Sequence, residues 1–289
     1  MKILVTGKNG QLGKSLQKFI LNFDHLEFTL VGREEFDLSS SESISKYFET
    51  HSHFDIIINC AAYTEVDRSE EETDLVDKIN HLAVKQLAEF ANSNNAKLIH
   101  ISTDYVFDGK NESPYLESDN PNPINVYGKT KLLGEKAILG TMVNNAMIIR
   151  TSWLFSEFGN NFVKIMLKLG SENNEISVVN DQKGSPTYAN DLAQAILDII
   201  SNDTFIEKDF PSEIYHFSNL GETNWCEFSK EIFKLRDLKC KVIPISSKQY
   251  SSIALRPRNT AMSPEKIKEN FRLHIQTWQN SLKNCLENI

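Results

Sequence analysis

The sequence is short of the features that mark secreted, membrane-bound or nucleic-acid-binding proteins. Its four cysteines, Cys60, Cys226, Cys240 and Cys285, stand apart with no CxxC and no Cys/His spacing. That leaves neither a zinc ligand set nor a redox pair, and they read as reduced thiols. No apolar run approaches the ~18 residues that a membrane-crossing helix needs. The N-terminal lysine leads directly into an apolar strand too short for a secretory signal core, so the cytoplasm is the expected compartment and no membrane partner is expected. Positive charge is not in excess: 31 Lys and Arg against 39 Asp and Glu give a net charge of -8. With no basic stripe either, no nucleic-acid partner is expected. Internal repeats, low-complexity tracts and Gly/Ser linkers are also missing.

What remains is an ordinary globular composition, 40% hydrophobic and 24% charged over 289 residues, enough for one large α/β domain with or without an appendage. The first half alternates two patterns. Ile3-Leu4-Val5, Phe28 to Val31, Ile56 to Ile58, Leu98 to Ile101 and Met147 to Ile149 are short strand-like runs. Between them lie helical stretches, the first marked by Leu12, Leu16, Phe19 and Ile20. Buried β-branched strands that each lead into a helix predict a Rossmann-like α/β fold, a doubly wound parallel sheet. Residues 108–125 read as a loop. Beyond residue 151 the pattern loosens, with helices expected near 160–170 and 187–201 and strands at Ile176 to Val179 and Ile214 to Phe217. A loop holding Pro244, Arg256 and Pro257 comes before two closing helices. The division expected is a dinucleotide-binding domain over 1–150, with parts of 151–200 packed on it, and 151–289 mainly a smaller C-terminal substrate-binding lobe.

Two motifs carry chemistry. Gly7, Gly10 and Gly13 fall where the first strand turns into the first helix. In such a turn the first glycine permits the bend, the second lets a pyrophosphate approach, and the third lets helix and sheet pack closely. The spacing is GxxGxxG, so the local context carries the reading. At the end of the second strand, Arg33 favours a 2′-phosphate and hence NADPH, with NADH possible; Glu34 and Glu35 stand beside it. The second motif is Tyr127 and Lys131 in YGKTK, preceded by Ser102-Thr103 at a strand end. Four residues is about one helical turn, so phenol and ammonium leave one face. The lysine is expected to lower the tyrosine pKa and to hold cofactor ribose, the tyrosine to protonate a carbonyl oxygen, and Thr103 to donate a hydrogen bond to that oxygen. The pattern implies a nicotinamide-dependent ketone reductase.

Further runs carry a resemblance: INCAAYTEVD (58–67), STDYVFDG (102–109), NVYGKTKLLGE (125–135), RTSWLF (150–155), GNNFVKIML (159–167), DQKGSPT (181–187) and RPRNTAMSPEK (256–266). With the glycine turn, they resemble the extended short-chain dehydrogenase/reductases, and among them the dTDP-4-dehydrorhamnose reductases. The resemblance implies that Gly10, Gln11 and Leu12 touch cofactor phosphates, that Asp37 and Leu38 lie near adenine, and that Ala61, Ala62, Tyr63 and Thr64 run along the cofactor. It implies Thr103, Tyr127 and Lys131 as the catalytic trio. Thr103, Asp104 and Trp153 would meet a dTDP-sugar, with Asn161 and Arg256 further substrate-side candidates; Trp153 reads equally as a packing aromatic.

The implied reaction is reduction of the C4 ketone of dTDP-4-dehydro-6-deoxy-L-mannose to dTDP-L-rhamnose, a nucleotide-sugar step towards cell-surface polysaccharide. Reduction of another dTDP-4-keto-6-deoxy sugar and a non-catalytic regulatory role stay open. So does the choice between monomer and homodimer. The related dehydratases place a glutamate after the Thr-Asp pair, where this chain has Tyr105, so water elimination is not expected. Some relatives carry a Mg²⁺-binding glutamate in the first helix. Ser15 stands there here, and no metal is expected.

Overall fold

The computed structural model describes residues 1–207 and 209–289. The chain runs β1 (Lys2–Thr6), α1 (Gln11–Phe19), β2 (Glu27–Val31), α2 (Ser41–Thr50) and β3 (Ile56–Asn59). A helical stretch with a π turn at Lys78–Leu82 leads into α3 (Ala83–Ser93), followed by β4 (Lys97–Thr103), α4 (Val126–Thr141) and β5 (Ala146–Thr151). Then come α5 (Phe162–Glu172), β6 (Glu175–Val179), α6 (Ala189–Ile200), β7 (Glu213–His216), α7 (Trp225–Leu235), β8 (Lys241–Ile245), α8 (Glu265–Phe271) and α9 (Trp278–Glu287).

The main sheet has six strands in the order β7-β5-β4-β3-β1-β2, each pair parallel. All of β3 and all of β5 are buried, as expected where helices cover both faces. On one face Ile3, Val5, Ile56 and Ile58 pack with Leu12 and Leu16 of α1 and with Leu192, Ile196 and Ile199 of α6. On the other, Leu4, Ile57 and Leu98 meet Ile44, Leu87 and Ile138 from α2, α3 and α4. Each such aliphatic side chain contributes about 1.5–3 kcal/mol by leaving water. A separate cluster joins α5, α7 and α9 through Val163, Met166, Phe228, Ile232 and Leu282.

Two expectations change here. The strand expected at Ile214 to Phe217 is not part of the second lobe: as β7 it pairs with β5 and forms an edge of the main sheet. Its covering helix α8 packs Ile267 and Phe271 into the same core as α1 and α6. A boundary at residue 150 therefore cuts through a sheet that takes its sixth strand from the C-terminal half. Pro244, expected in a loop, lies inside β8, which among the described residues pairs only with β6. A two-stranded sheet leaves an outer edge where a missing N–H costs no ladder bond.

The order of strands reverses beside β1, between β2 and β3. In an open parallel sheet that reversal opens a crevice at the carboxyl ends of the strands, which is where ligands bind. Among the described residues no helix is long and apolar enough to cross a membrane, and no group of three or more His, Cys, Asp or Glu is placed to hold a metal ion.

Candidate active site

A cleft of about 760 Å³ opens along the carboxyl ends of β1 to β5. At one end, Gly7 has φ +75°, and a Cβ there would lie 2.9 Å from the Ala61 nitrogen. Gly10 caps α1 without any side-chain hydrogen bond, so the first-turn amides are free to face an anion. A side chain at Gly10 would meet only the Gly7 carbonyl oxygen, at 3.4 Å. The turn therefore fits a bound pyrophosphate. Gly13 works differently: a Cβ there would fall 2.2 Å from the Gly7 oxygen, and the residue does not line the cleft. Its contribution is the close approach of helix to turn.

Gln11, Leu12, Arg33, Asp37, Leu38, Ala61, Ala62 and Thr64 all line the cleft. Glu35 is held by Lys8 and by the Gly32 amide at 2.9 Å, which lower its pKa, Lys8 most. Its charge is thus matched, and Arg33 has no carboxylate partner among the described residues. Tyr63 does not line the cleft. Its backbone exchanges two hydrogen bonds with the Asn80 side chain in the π turn, and its hydroxyl donates to Glu72 at 2.6 Å.

At the other end the YGKTK turn meets the end of β4. Asn125 caps α4 by accepting from the Gly128 amide at 2.8 Å. A Cβ on Gly128 would lie 2.1 Å from the Tyr105 oxygen, so glycine here lets α4 press onto the β4 exit. A buried glycine inside a helix costs about 1 kcal/mol against alanine. That cost is the signal that could have flagged Gly128 from sequence.

Helix α4 is anchored from beneath. Arg150 of β5 grips Glu135 through two hydrogen bonds of 2.9 and 2.6 Å, both side chains 1% exposed. Ser102 donates to the same carboxylate at 2.5 Å. Tyr127, Lys131, Thr103 and Asp104 come together at the cleft wall.

The electrostatics differ from the sequence expectation in two respects. Burial pushes the Tyr127 phenol up to about 12, with Thr103 opposing and Asp104 adding to the rise. Burial also brings Lys131 down to about 8 against the pull of Glu135. Desolvation therefore sets the tyrosine, and the expected lowering by lysine is not among its causes. Lys131 donates to the Ile101 carbonyl at 2.7 Å and faces His100 at 3.2 Å. The Thr103 hydroxyl accepts from the Tyr105 amide and donates to Asp104 at 3.1 Å, so it must turn from Asp104 to meet a carbonyl. Burial raises Asp104 to about 7 against hydrogen bonds from Thr260 and Thr103.

The facing wall comes from beyond β5. Trp153 has φ +48°, rare for a bulky residue. Its ring stacks on Trp225 with centroids 3.5 Å apart, and Gly184 leaves room for it, since a Cβ there would approach the indole to 2.6 Å. Trp225 also lines the cleft, and the sequence reading missed it. Asn161 lines the cleft too, but its side chain is engaged by protein. It caps α5 through the Lys164 amide and donates to Gln11 at 3.0 Å and to the Ser156 carbonyl at 2.8 Å. Arg256 lies outside the cleft lining, paired with Asp67 at 2.7 and 3.2 Å.

The family model described as RmlD substrate binding domain matches residues 1–289. A dTDP-4-dehydrorhamnose reductase of Sinorhizobium fredii is 37% identical, the match covering 98% of this chain and 96% of the relative. The crystal structure of a dTDP-4-dehydrorhamnose reductase from Clostridium acetobutylicum superposes with a TM-score of 0.92 at 37% identity, covering 99% of both chains. The enzyme of that name from Bacillus anthracis, solved in complex with NADP, gives 0.92 at 38% identity over 100% of this chain and 99% of that one. Similarity of this extent, along a chain whose glycine turn and tyrosine helix meet in one cleft, places the protein in the dTDP-4-dehydrorhamnose reductase family.

Proposed function

We propose that the protein uses NADPH to reduce the C4 ketone of dTDP-4-dehydro-6-deoxy-L-mannose, yielding dTDP-L-rhamnose. The observation that carries this reading is the convergence of Gly7, Gly10, Thr103, Tyr127 and Lys131 on one cleft. Family membership and the NADP complex of the Bacillus anthracis relative support it. In this reading Gly7, Gly10, Gln11 and Leu12 receive the cofactor phosphates, and Asp37 and Leu38 border the adenosine end. Arg33, which forms no ion pair among the described residues because Glu35 is taken by Lys8, meets a 2′-phosphate, which favours NADPH over NADH. When bound, the reduced nicotinamide supplies the hydride.

The chain's own groups do the rest. Thr103 turns from Asp104 to hold the ketone oxygen, and Tyr127 gives its proton to the oxygen as negative charge develops there. Tyr127 stays a phenol until that moment because burial disfavours its anion. Lys131 stabilises the phenolate left behind, and Trp153 on Trp225 offers a flat wall to the sugar nucleotide. The strand ends and the tyrosine helix thus serve both cofactor and ketone, and Trp153 with Trp225 adds a wall from beyond residue 151.

The test is loss of NADPH absorbance with dTDP-4-keto-6-deoxy sugars of differing ring configuration, the product identified by NMR. Turnover of a different sugar would redirect the substrate assignment. Cofactor binding without turnover of any would point to a regulatory subunit instead.

A further inference from the structure

The group that holds Lys131 is itself held. His100 Nε2 lies 3.2 Å from Lys131 Nζ, and on the far side of the ring His100 Nδ1 lies 3.0 Å from Asn59 Nδ2. The Asn59 oxygen accepts from the Ala61 backbone amide at 3.2 Å and from the Thr6 hydroxyl at 2.6 Å. Thr6, Asn59 and His100 are each at most 1% exposed and lie outside the cleft lining, so solvent offers none of them another partner; Lys131, 1% exposed, reaches the cleft wall.

Donor and acceptor chemistry then leaves one arrangement. A backbone N–H has no lone pair, so the amide oxygen of Asn59 must face Ala61. The amide nitrogen, a donor only, is left facing His100 Nδ1. That nitrogen must present its lone pair, so the ring proton sits on Nε2 and points at Lys131. An amine accepts such a bond; an ammonium, with three donors and no lone pair, does not. We propose that Asn59, acting through the tautomer of His100, disfavours the ammonium form of Lys131 and so sets the pH at which this lysine titrates.

The surroundings agree in direction. Burial holds Lys131 down, and burial with Lys131 holds His100 well below the usual imidazole range, so the ring is neutral. The other titratable groups around Lys131 are few. Glu135, one turn on along α4, pulls the lysine up, but its carboxylate is bound by Arg150 of β5 and by Ser102 of β4. Tyr127, one turn back, is a neutral phenol, as is Tyr105 past the end of β4; the Cys60 thiol at the end of β3 is pushed up to about 12 by burial. Asp104 follows Thr103 at the cleft wall. Because an amide does not relay protons near neutral pH, the chain ends at Asn59. His100 and Asn59 are positioning residues and not a proton wire.

The catalytic consequence rests on the reductase reading; the protonation claim does not. Nitrogen NMR of ¹⁵N-histidine-labelled full-length protein, with His100 assigned by its loss in His100→Gln, should show the proton on Nε2. A proton on Nδ1 would overturn the proposal. In Asn59→Asp the carboxylate accepts from Ala61, Thr6 and a now protonated Nδ1, which leaves Nε2 a lone pair for the ammonium. The Lys131 titration, followed by side-chain ¹⁵N shifts, should rise by at least about one pH unit. The fall of kcat at high pH should rise with it. An unmoved Lys131 titration in a folded variant sinks the proposal. Should Asn59→Asp not fold, the wild-type tautomer alone decides. Absence of turnover with any keto sugar, alongside the expected NMR result, would count against the reductase reading only.

Discussion

On the sheet side of the cleft, Thr6, Asn59, Thr103 and Thr151 end strands whose register is fixed on both edges. On the opposite side, Trp153 sits in a left-handed backbone conformation after the last of those strands, held by one ring stack and a missing Cβ. The two arginine pairs repeat the contrast. Arg150–Glu135 is buried under the tyrosine helix at 1% exposure for both partners, whereas the side chains of Arg256 and Asp67 are 20% and 40% exposed. Atoms that must sit within a few tenths of an ångström of a reacting centre are carried by the rigid wall. The opposite wall is made of a ring stack and a helix cap, Trp153 on Trp225 and Asn161 at the start of α5. In the proposed reading, rigidity and substrate specificity fall on different elements.

The contrast is sharpest at Tyr127. Tyr127→Phe should lower kcat by about 10²–10⁴ while leaving NADPH affinity within a few-fold, read by steady-state kinetics and cofactor titration. Loss of both together would mean that the helix, and not the hydroxyl, had failed.

Next come the two ion pairs. Glu135→Ala strands a buried guanidinium and should cost about 3–5 kcal/mol of stability. Asp67→Ala, at a partly exposed and solvent-screened pair, should cost no more than about 1 kcal/mol. Equal losses in chemical denaturation would erase the distinction between the walls.

Trp153→Ala should raise the KM for the sugar nucleotide roughly tenfold with a smaller change in kcat, as expected for a stack worth about 0.5–1.5 kcal/mol beyond its area. A kcat defect as large as that of Tyr127→Phe would move Trp153 to the reacting side.

The pH profile probes the rigid wall without mutation. Burial lowers the Lys131 pKa to about 8, so the proton is present below that pH and lost as pH rises through it. The kcat should then fall towards about tenfold per pH unit above the limb. Asn161→Ala removes a helix cap and should cost about 1 kcal/mol, visible as a small drop in melting temperature.

Much of this architecture was legible in the residues. The five strand-like runs, the glycine turn and the one-turn spacing of Tyr127 and Lys131 are local patterns, and local patterns survive in sequence. β7 was recognised as a strand but not as part of the sheet, because which strand pairs with it depends on a long-range crossover that a four-residue run cannot encode. Trp225 was missed because its partner Trp153 is distant in the chain, and the pairing of Arg256 with Asp67 could not be read because 189 residues separate them. The tyrosine pKa was misjudged for the same reason: spacing reports that a lysine is near, while burial, which dominates, is a property of the whole fold.

By itself, then, the sequence determined the periodicities, the bend at Gly7 and the pairing of phenol and amine on one helical face, since each depends on residues within a turn or two. Only the tertiary structure decided which buried groups neutralise one another and which way the His100 ring presents its proton. Those outcomes depend on desolvation and on donors brought from four separate elements, and no short stretch of chain contains them.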